Sequence, residues 1–293
     1  MKQVQFYLLV ALGLVAASCS IKEDRLECQA PVSVQINDFA ISQTGLDTKV
    51  TQAVADYSAV KALTLAFYDS GGKEVYKATQ LRDSMGEGET FGNFSLSLHM
   101  DSYTMVVLGY GLKEGEPAIT LTSPTSATFG DYPARETFAT TQAVNITSTS
   151  AVNLSATLSR IMSKLQVASS DVRTTNASSV KVTFSKGGKG FNPTTGLATS
   201  NTGFSNVVSI NTGVGEASQS SSYLFLATDE QTMDITIETL DADGNTLFSK
   251  TVQDVPFQRN RITILTGTLY TNSSIGSSFQ MNTTWIATYN GNF

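Results

Sequence analysis

Three observations predict an all-β chain of packed sheets. Apolar and polar residues alternate with period two in short runs, as where Val32, Val34 and Ile36 flank Ser33 and Gln35. Clusters of Gly, Asn, Asp, Ser and Pro separate these runs. No long stretch carries the apolar spacing of an amphipathic helix. Period two turns one face of each strand toward a core and the other toward water, and many short strands of this kind assemble as β-sandwiches.

The runs follow in order. Leu63, Leu65 and Phe67 form one. Phe94, Leu96, Leu98 and Met100 alternate with Ser95, Ser97 and His99, and Tyr103, Met105 and Val107 follow an Asp-Ser turn. Val180, Val182 and Phe184, then Ile235 and Ile237, then Ile262 and Ile264 continue the pattern. TQAVADYSAV (51–60) could hold a helical turn or two at most. His99 falls on the polar side of its strand and reads as an exposed strand residue.

A chain of 293 residues exceeds the usual single-domain size, which sets two domains as the default. An internal repeat points the same way. DSGGKEVYKAT (69–79) aligns without gaps to DADGNTLFSKT (241–251), each after an alternating apolar run. Each reads as a hairpin closed by Asp-x-x-Gly, with Gly72 and Gly244 supplying positive φ. A calcium loop at Asp241, Asp243 and Asn245 is the rival reading. It lacks the glycine at the sixth position and the glutamate at the twelfth that an EF-type loop uses. The two copies suggest two β-domains of related design, with the hairpins at equivalent places. The expected boundaries are 1–18 signal peptide, 19–30 tether, 31–159 N-terminal sandwich and 160–293 C-terminal sandwich. Gly-rich SKGGKGFNPTTG (185–196) reads as a loop of the second half and lacks the Walker order of a phosphate cradle.

The N-terminus bears on location. Lys2 precedes an apolar run, Phe6–Ala17, shorter than the about 20 residues that span a bilayer and suited to a signal peptide. Ala16, Ala17 and Ser18 then lead into Cys19, as in a bacterial lipobox, where the cysteine is acylated and the chain is cut before it. An ordinary signal peptide cut near Ala17 is the alternative. Lipidation takes Cys19 out of any disulfide and leaves Cys28 as a lone thiol or an intermolecular partner. Lys22-Glu23-Asp24 resembles a surface-export signal of Bacteroidetes lipoproteins. Two or more acyl chains give a stable anchor where one does not.

Composition excludes several function classes. Removing residues 1–18 takes one lysine and no acid, leaving 18 basic against 25 acidic residues. That balance disfavours nucleic acid as a partner. One histidine rules out multi-histidine metal sites, and no G-x-S-x-G elbow is present. No enzyme activity, cofactor or metal is expected.

Four features converge: the lipobox, the strand–DxxG–strand hairpin, LSRIMSKLQVASSD (158–171) and VPFQRNRITILTGTLY (255–270). Together they resemble the Bacteroidetes fimbrillin superfamily, the subunits of type V pili. Leu158-Ser159-Arg160 and Lys164-Leu165-Gln166-Val167 match the run that joins the family's domains. Arg259, Asn260, Arg261, Thr263, Leu265 and Gly267 match a late strand of the second domain. The start, CSIKEDRLEC, is similar to anchor-type subunits. The resemblance implies two tandem transthyretin-like β-sandwich domains. It also implies export as an outer-membrane lipoprotein, location in a surface fimbrium as stalk, tip or anchor, and adhesion to a host or bacterial receptor. It further implies polymerisation with other fimbrial subunits by strand exchange after proteolysis.

Candidates exist for each part. VSVQINDF (32–39), with Val32, Val34 and Ile36, is the strand that would leave. Lys49 is the only basic residue between Arg25 and Lys61, either the processing site or a solvated loop residue. Phe279, Met281 and Trp285 share one parity near the C-terminus, either a donor strand or an ordinary last strand. The alternative function is a surface lipoprotein that binds glycan or protein through β-sandwich modules without polymerising.

Overall fold

The computed structural model describes residues 29–41, 51–271 and 280–282. Among them the secondary structure is strand, with one short 3-10 turn at Arg82–Ser84 and no α-helix. The first half holds β1 (Gln29–Ala40), β2 (Thr51–Ala53), β3 (Ala62–Asp69), β4 (Glu74–Leu81), β5 (Asn93–His99), β6 (Ser102–Tyr110), β7 (Thr120–Ser123), β8 (Ser126–Thr128), β9 (Thr137–Asn145) and β10 (Val152–Arg160). The second holds β11 (Ser163–Val172), β12 (Ser179–Phe184), β13 (Gly190–Phe191), β14 (Phe204–Ser209), β15 (Ala217–Leu224), β16 (Glu230–Leu240), β17 (Thr246–Gln258), β18 (Ile262–Gly267) and β19 (Gln280–Asn282).

Two tandem transthyretin-like sandwiches result. In the first, β5–β1–β10 faces β4–β3–β6–β9. The layers join at one corner, where β10 meets β9 only at Ser159–Ala139 and Arg160–Phe138. In the second, β15–β11–β18–β19 faces β14–β12–β16–β17. Set aside the short strands β2, β7, β8, β13 and β19, and the same order recurs. The first strand of each sandwich lies between its fourth and seventh, and the second lies between its third and fifth. The first and seventh are parallel in both, β1 with β10 and β11 with β18.

The repeated hairpins do not occupy equivalent places. Residues 69–79 join the second and third strands of their sandwich, β3 and β4, while 241–251 join the fifth and sixth, β16 and β17. Their likeness is turn chemistry. Asp69 Oδ1 accepts the N–H groups of Gly71 and Lys73, and Asp241 Oδ1 accepts those of Asp243 and Asn245. Gly72 and Gly244 have φ of 79° and 86°. This closure is local, so any strand pair of suitable twist can adopt it.

Three apolar clusters hold the molecule. Leu63, Leu65, Phe67, Met105 and Val107 pack against Val32, Val34 and Ile36 inside the first sandwich. Val182, Phe184, Ile235, Ile237, Leu165 and Leu265 fill the second. The third cluster lies on the outer face of β3 and β6, where Ala66, Tyr68, Val106 and Leu108 meet Phe191 and Phe225 of the second half. Phe191 stacks on Phe225 with centroids 4.3 Å apart. The Gly-rich 185–196 segment is therefore more than a loop: β13 pairs with β8, and Phe191 is fully buried. Its glycines serve close approach, since a Cβ at Gly187 would stand 2.8 Å from the Phe225 carbonyl oxygen.

Smaller expectations also shift. The inward face of β18 is Thr263 and Leu265, whereas Ile262 and Ile264 are half-buried on the other side. Met100 lies beyond β5 and is exposed, and His99 is half-buried with its Nε2 3.1 Å from Gln29 Nε2. Residues 51–60 form β2 and turns, with Val54, Tyr57 and Val60 buried.

Gly109 on β6 faces the first core. A Cβ there would stand 2.8 Å from Phe39 and 3.2 and 3.3 Å from Leu63 and Leu158. Phe39 is fully buried and has nowhere to move. We expect Gly109→Ala to destabilise the chain by about 1–3 kcal/mol, as overpacking of a filled core does, read as a lower urea midpoint at unchanged slope.

Candidate assembly site at the first strand

Strand β1 is central in its layer. Val32 to Ala40 pair in parallel with β10, while the opposite edge pairs antiparallel with β5 over Gln29–Gln35 and with β2 over Asp38–Ala40. Ala30, Val32, Val34 and Ile36 point inward on alternate positions and are at most 3% exposed. A bulge between Ile36 and Asp38 then shifts the parity, so Phe39 also points inward. Phe39 lies 4.7 Å from Phe138 and 5.6 Å from Tyr57, ring centre to ring centre. Burying Val32, Val34, Ile36 and Phe39 is worth about 1.5–3 kcal/mol each, on the order of 6–12 kcal/mol together. That matches the total stability of an ordinary domain, about 5–15 kcal/mol. β1 cannot leave without a replacement for most of what it buries.

The end of β1 is tied to both sandwiches by a buried polar network. Arg160 closes β10, and its guanidinium lies 2.7 Å from Glu136 Oε1, with both side chains 8% exposed. Nη1 donates to the Ile41 carbonyl at 2.8 Å and to Asn260 Oδ1 at 3.0 Å. Nη2 donates to the Tyr57 hydroxyl at 3.0 Å, and that hydroxyl donates to Glu136 Oε1 at 2.8 Å. The guanidinium carbon also sits 5.1 Å from the centre of the Phe138 ring. Burial, then the Glu136 carboxylate, push the Tyr57 phenol well up, so it stays neutral and able to donate. Burial likewise lowers the Lys164 ammonium, with Glu136 opposing and Arg160 adding to the shift.

The two sequence segments with family character meet here. Asn260 adopts φ of 58°, a left-handed conformation that asparagine tolerates, and its N–H donates to the Met162 carbonyl. Lys164 N–H donates to the Arg261 carbonyl, and Ser163 Oγ donates to the Gln258 carbonyl. Arg259 pairs with Asp229 at 2.8 Å and donates to the Thr195 carbonyl. Periodicity could not flag Arg160, Glu136 or Tyr57 as a unit, because they lie on three separate elements.

The other sequence candidates divide. Val32, Val34 and Ile36 come together in the first core. Cys19, Cys28, Lys49, Phe279 and Trp285 lie outside the described residues, with Lys49 in the 42–50 segment between β1 and β2. Met281 is in β19, which pairs antiparallel with β18 of the same chain, opposite Leu265.

Comparison with known proteins places the chain. Residues 29–285 match a family of unknown function, DUF6562, and the chain belongs to that family. No curated protein matches it. A candidate adhesin from Bacteroides ovatus has the same fold, with a TM-score of 0.51 at 10% identity over 87% of this chain and 96% of that one. A second candidate adhesin from that organism gives 0.50 at 10% identity, over 76% and 82%. The fimbrial anchor protein Mfa2 of Porphyromonas gingivalis gives 0.48 at 13% identity, over 89% and 100%.

Removing one partner of a buried ion pair leaves the other charge stranded. We expect Arg160→Ala to cost about 3–5 kcal/mol, measured by chemical denaturation. Hydrogen exchange at the C-terminal end of β1 should rise in the same variant.

Proposed function

We propose that this chain is a structural subunit of a cell-surface fimbria, exported as a lipoprotein through Cys19 and assembled by β-strand exchange. The observation that carries the reading is the position of β1, buried, hydrogen-bonded on both edges and followed by the Lys49 segment. Cleavage at Lys49 would separate β1 from β2. The emptied slot would expose strand edges on β10 and β5 and an apolar trough over Leu63, Leu65 and Met105. Those are the two elements of β-strand addition: main-chain hydrogen bonds for affinity and side-chain pockets for register. The C-terminal row Phe279, Met281 and Trp285 shares the alternation of Val32, Val34 and Ile36 and is the donor in this reading. The fold shared with two candidate adhesins agrees with a role at the cell surface.

Two experiments test this. Cys19→Ala should abolish labelling by a fatty acid and leave a soluble or unprocessed chain, and continued labelling would refute the lipid anchor. Limited proteolysis at Lys49 should convert monomers into SDS-resistant ladders, and deletion of 277–293 should suppress them. Mature surface protein with acylated Cys19 and an intact Lys49–Val50 bond would exclude the stalk version and favour an anchor that keeps its first strand.

A further inference from the structure

The second sandwich carries polar side chains where its core should be apolar. Asn206 on β14 stands opposite Val182, and Ser222 on β15 stands opposite Leu165. Both partners belong to the apolar core, so Asn206 and Ser222 share its inward-facing side. The two residues are 4% and 5% exposed. Among the described residues no hydrogen bond is made by the Asn206 carboxamide or the Ser222 hydroxyl, and neither is among the fully enclosed polar atoms, so both reach the surface. Ser220 Oγ, on the same parity of β15, is the one of the three that is enclosed without a partner. Polar groups beside an apolar core are costly unless they reach water or a ligand, so a row of them calls for an explanation.

Both residues line one cleft of about 260 Å³. It opens where β14 and β15, each paired on a single side, leave the edge of the second sandwich uncovered. The first sandwich supplies the opposite wall through Lys113, Pro133 and Arg135. Arg135 is held in place by Glu116, whose Oε2 accepts from Nε at 3.2 Å while Oε1 accepts from Nη2. That leaves Nη1 without a partner among the described residues. Lys113 is exposed and makes no direct ion pair among them; Glu116 lies near it, accepting its backbone N–H, and no acidic residue lines the cleft itself.

From this we infer that the cleft is a saccharide site, shaped for one sugar ring that carries a carboxylate. Its volume falls below the roughly 300–1,000 Å³ of drug-sized sites, as suits a single ring. The carboxamide of Asn206 and the hydroxyl of Ser222 offer both donors and acceptors, the set that sugar hydroxyls match. Lys113 at the rim provides the counter-charge for a uronate, and Arg135, whose charge Glu116 balances, offers its remaining N–H donors. A partner β-strand fits less well, because it would bring alternate apolar side chains against Asn206 and Ser222.

Saturation-transfer NMR on the intact mature chain tests this, with glucuronate as probe and glucose as its neutral counterpart. Transfer to glucuronate ring protons is expected, with weaker transfer to glucose. Asn206→Leu should abolish it while leaving Tm unchanged or raised by about 2–4 °C, since an amide beside an apolar core is replaced by an apolar side chain. Ser222→Ala, the milder change, should weaken binding about three- to tenfold. Lys113→Gln should remove the preference for the acid. Absence of transfer to both sugars, or transfer unchanged in both cleft variants, would overturn the proposal. So would a preference for glucose, or an added extended peptide that perturbs the free edge of β14 when neither sugar does.

Discussion

The structure depends on one buried cation. The Arg160 guanidinium reaches the carbonyl just past the first strand, at Ile41, an acid of the first sandwich, Glu136, and a side chain of the second, Asn260. A charge at this depth is tolerable only when its donors are directed to acceptors and its counter-ion is fixed. Tyr57 fixes the counter-ion by donating to the same carboxylate oxygen that faces the arginine. Each member is placed by a different element, so the network specifies how those elements fit together more than it adds net stability.

That placement makes the two sandwiches one mechanical unit. They share the cluster in which Phe191 and Phe225 cover the outer face of β3 and β6, so both faces of those strands are buried. β3 is consequently apolar almost throughout, as a strand packed on two sides must be. Two beads on a flexible linker would leave an apolar face of this size in water. Here the link is two residues, Ile161 and Met162, both buried in the shared cluster.

How much of this is legible in the sequence varies with the physical cause. Strands with one wet face, such as Val180–Phe184, announce themselves by period two. β6, like β3, is legible as a strand, but its second buried face is not, because periodicity cannot say what packs on either side. β18 misleads for a related reason: Ile262 and Ile264 outweigh Thr263 in hydropathy, yet Thr263 points inward and donates to the Pro256 carbonyl. The hairpin repeat reports the local closure correctly and the topology wrongly, since an Asp-x-x-Gly turn carries no information about which strand pair it joins. The side chains that Arg160 binds lie up to 103 residues from it along the chain, and only the fold unites them.

The same geometry limits what could stand in place of β1. A replacement must present inward apolar groups on alternate positions to fill the space of Val32, Val34 and Ile36. It must then change parity, as the bulge after Ile36 does, or leave the Phe39 pocket against Gly109, Leu63 and Leu158 empty. An empty pocket of that size would cost about 3–5 kcal/mol by analogy with Phe→Ala in cores. It must also end with a carbonyl within reach of Arg160, because the guanidinium otherwise loses an acceptor in a site closed to water. A strand of uniform parity therefore meets the first requirement and fails the second unless it bends at the same point. Register at this site is thus set from both ends, by the apolar row at the start and by a single arginine at the finish.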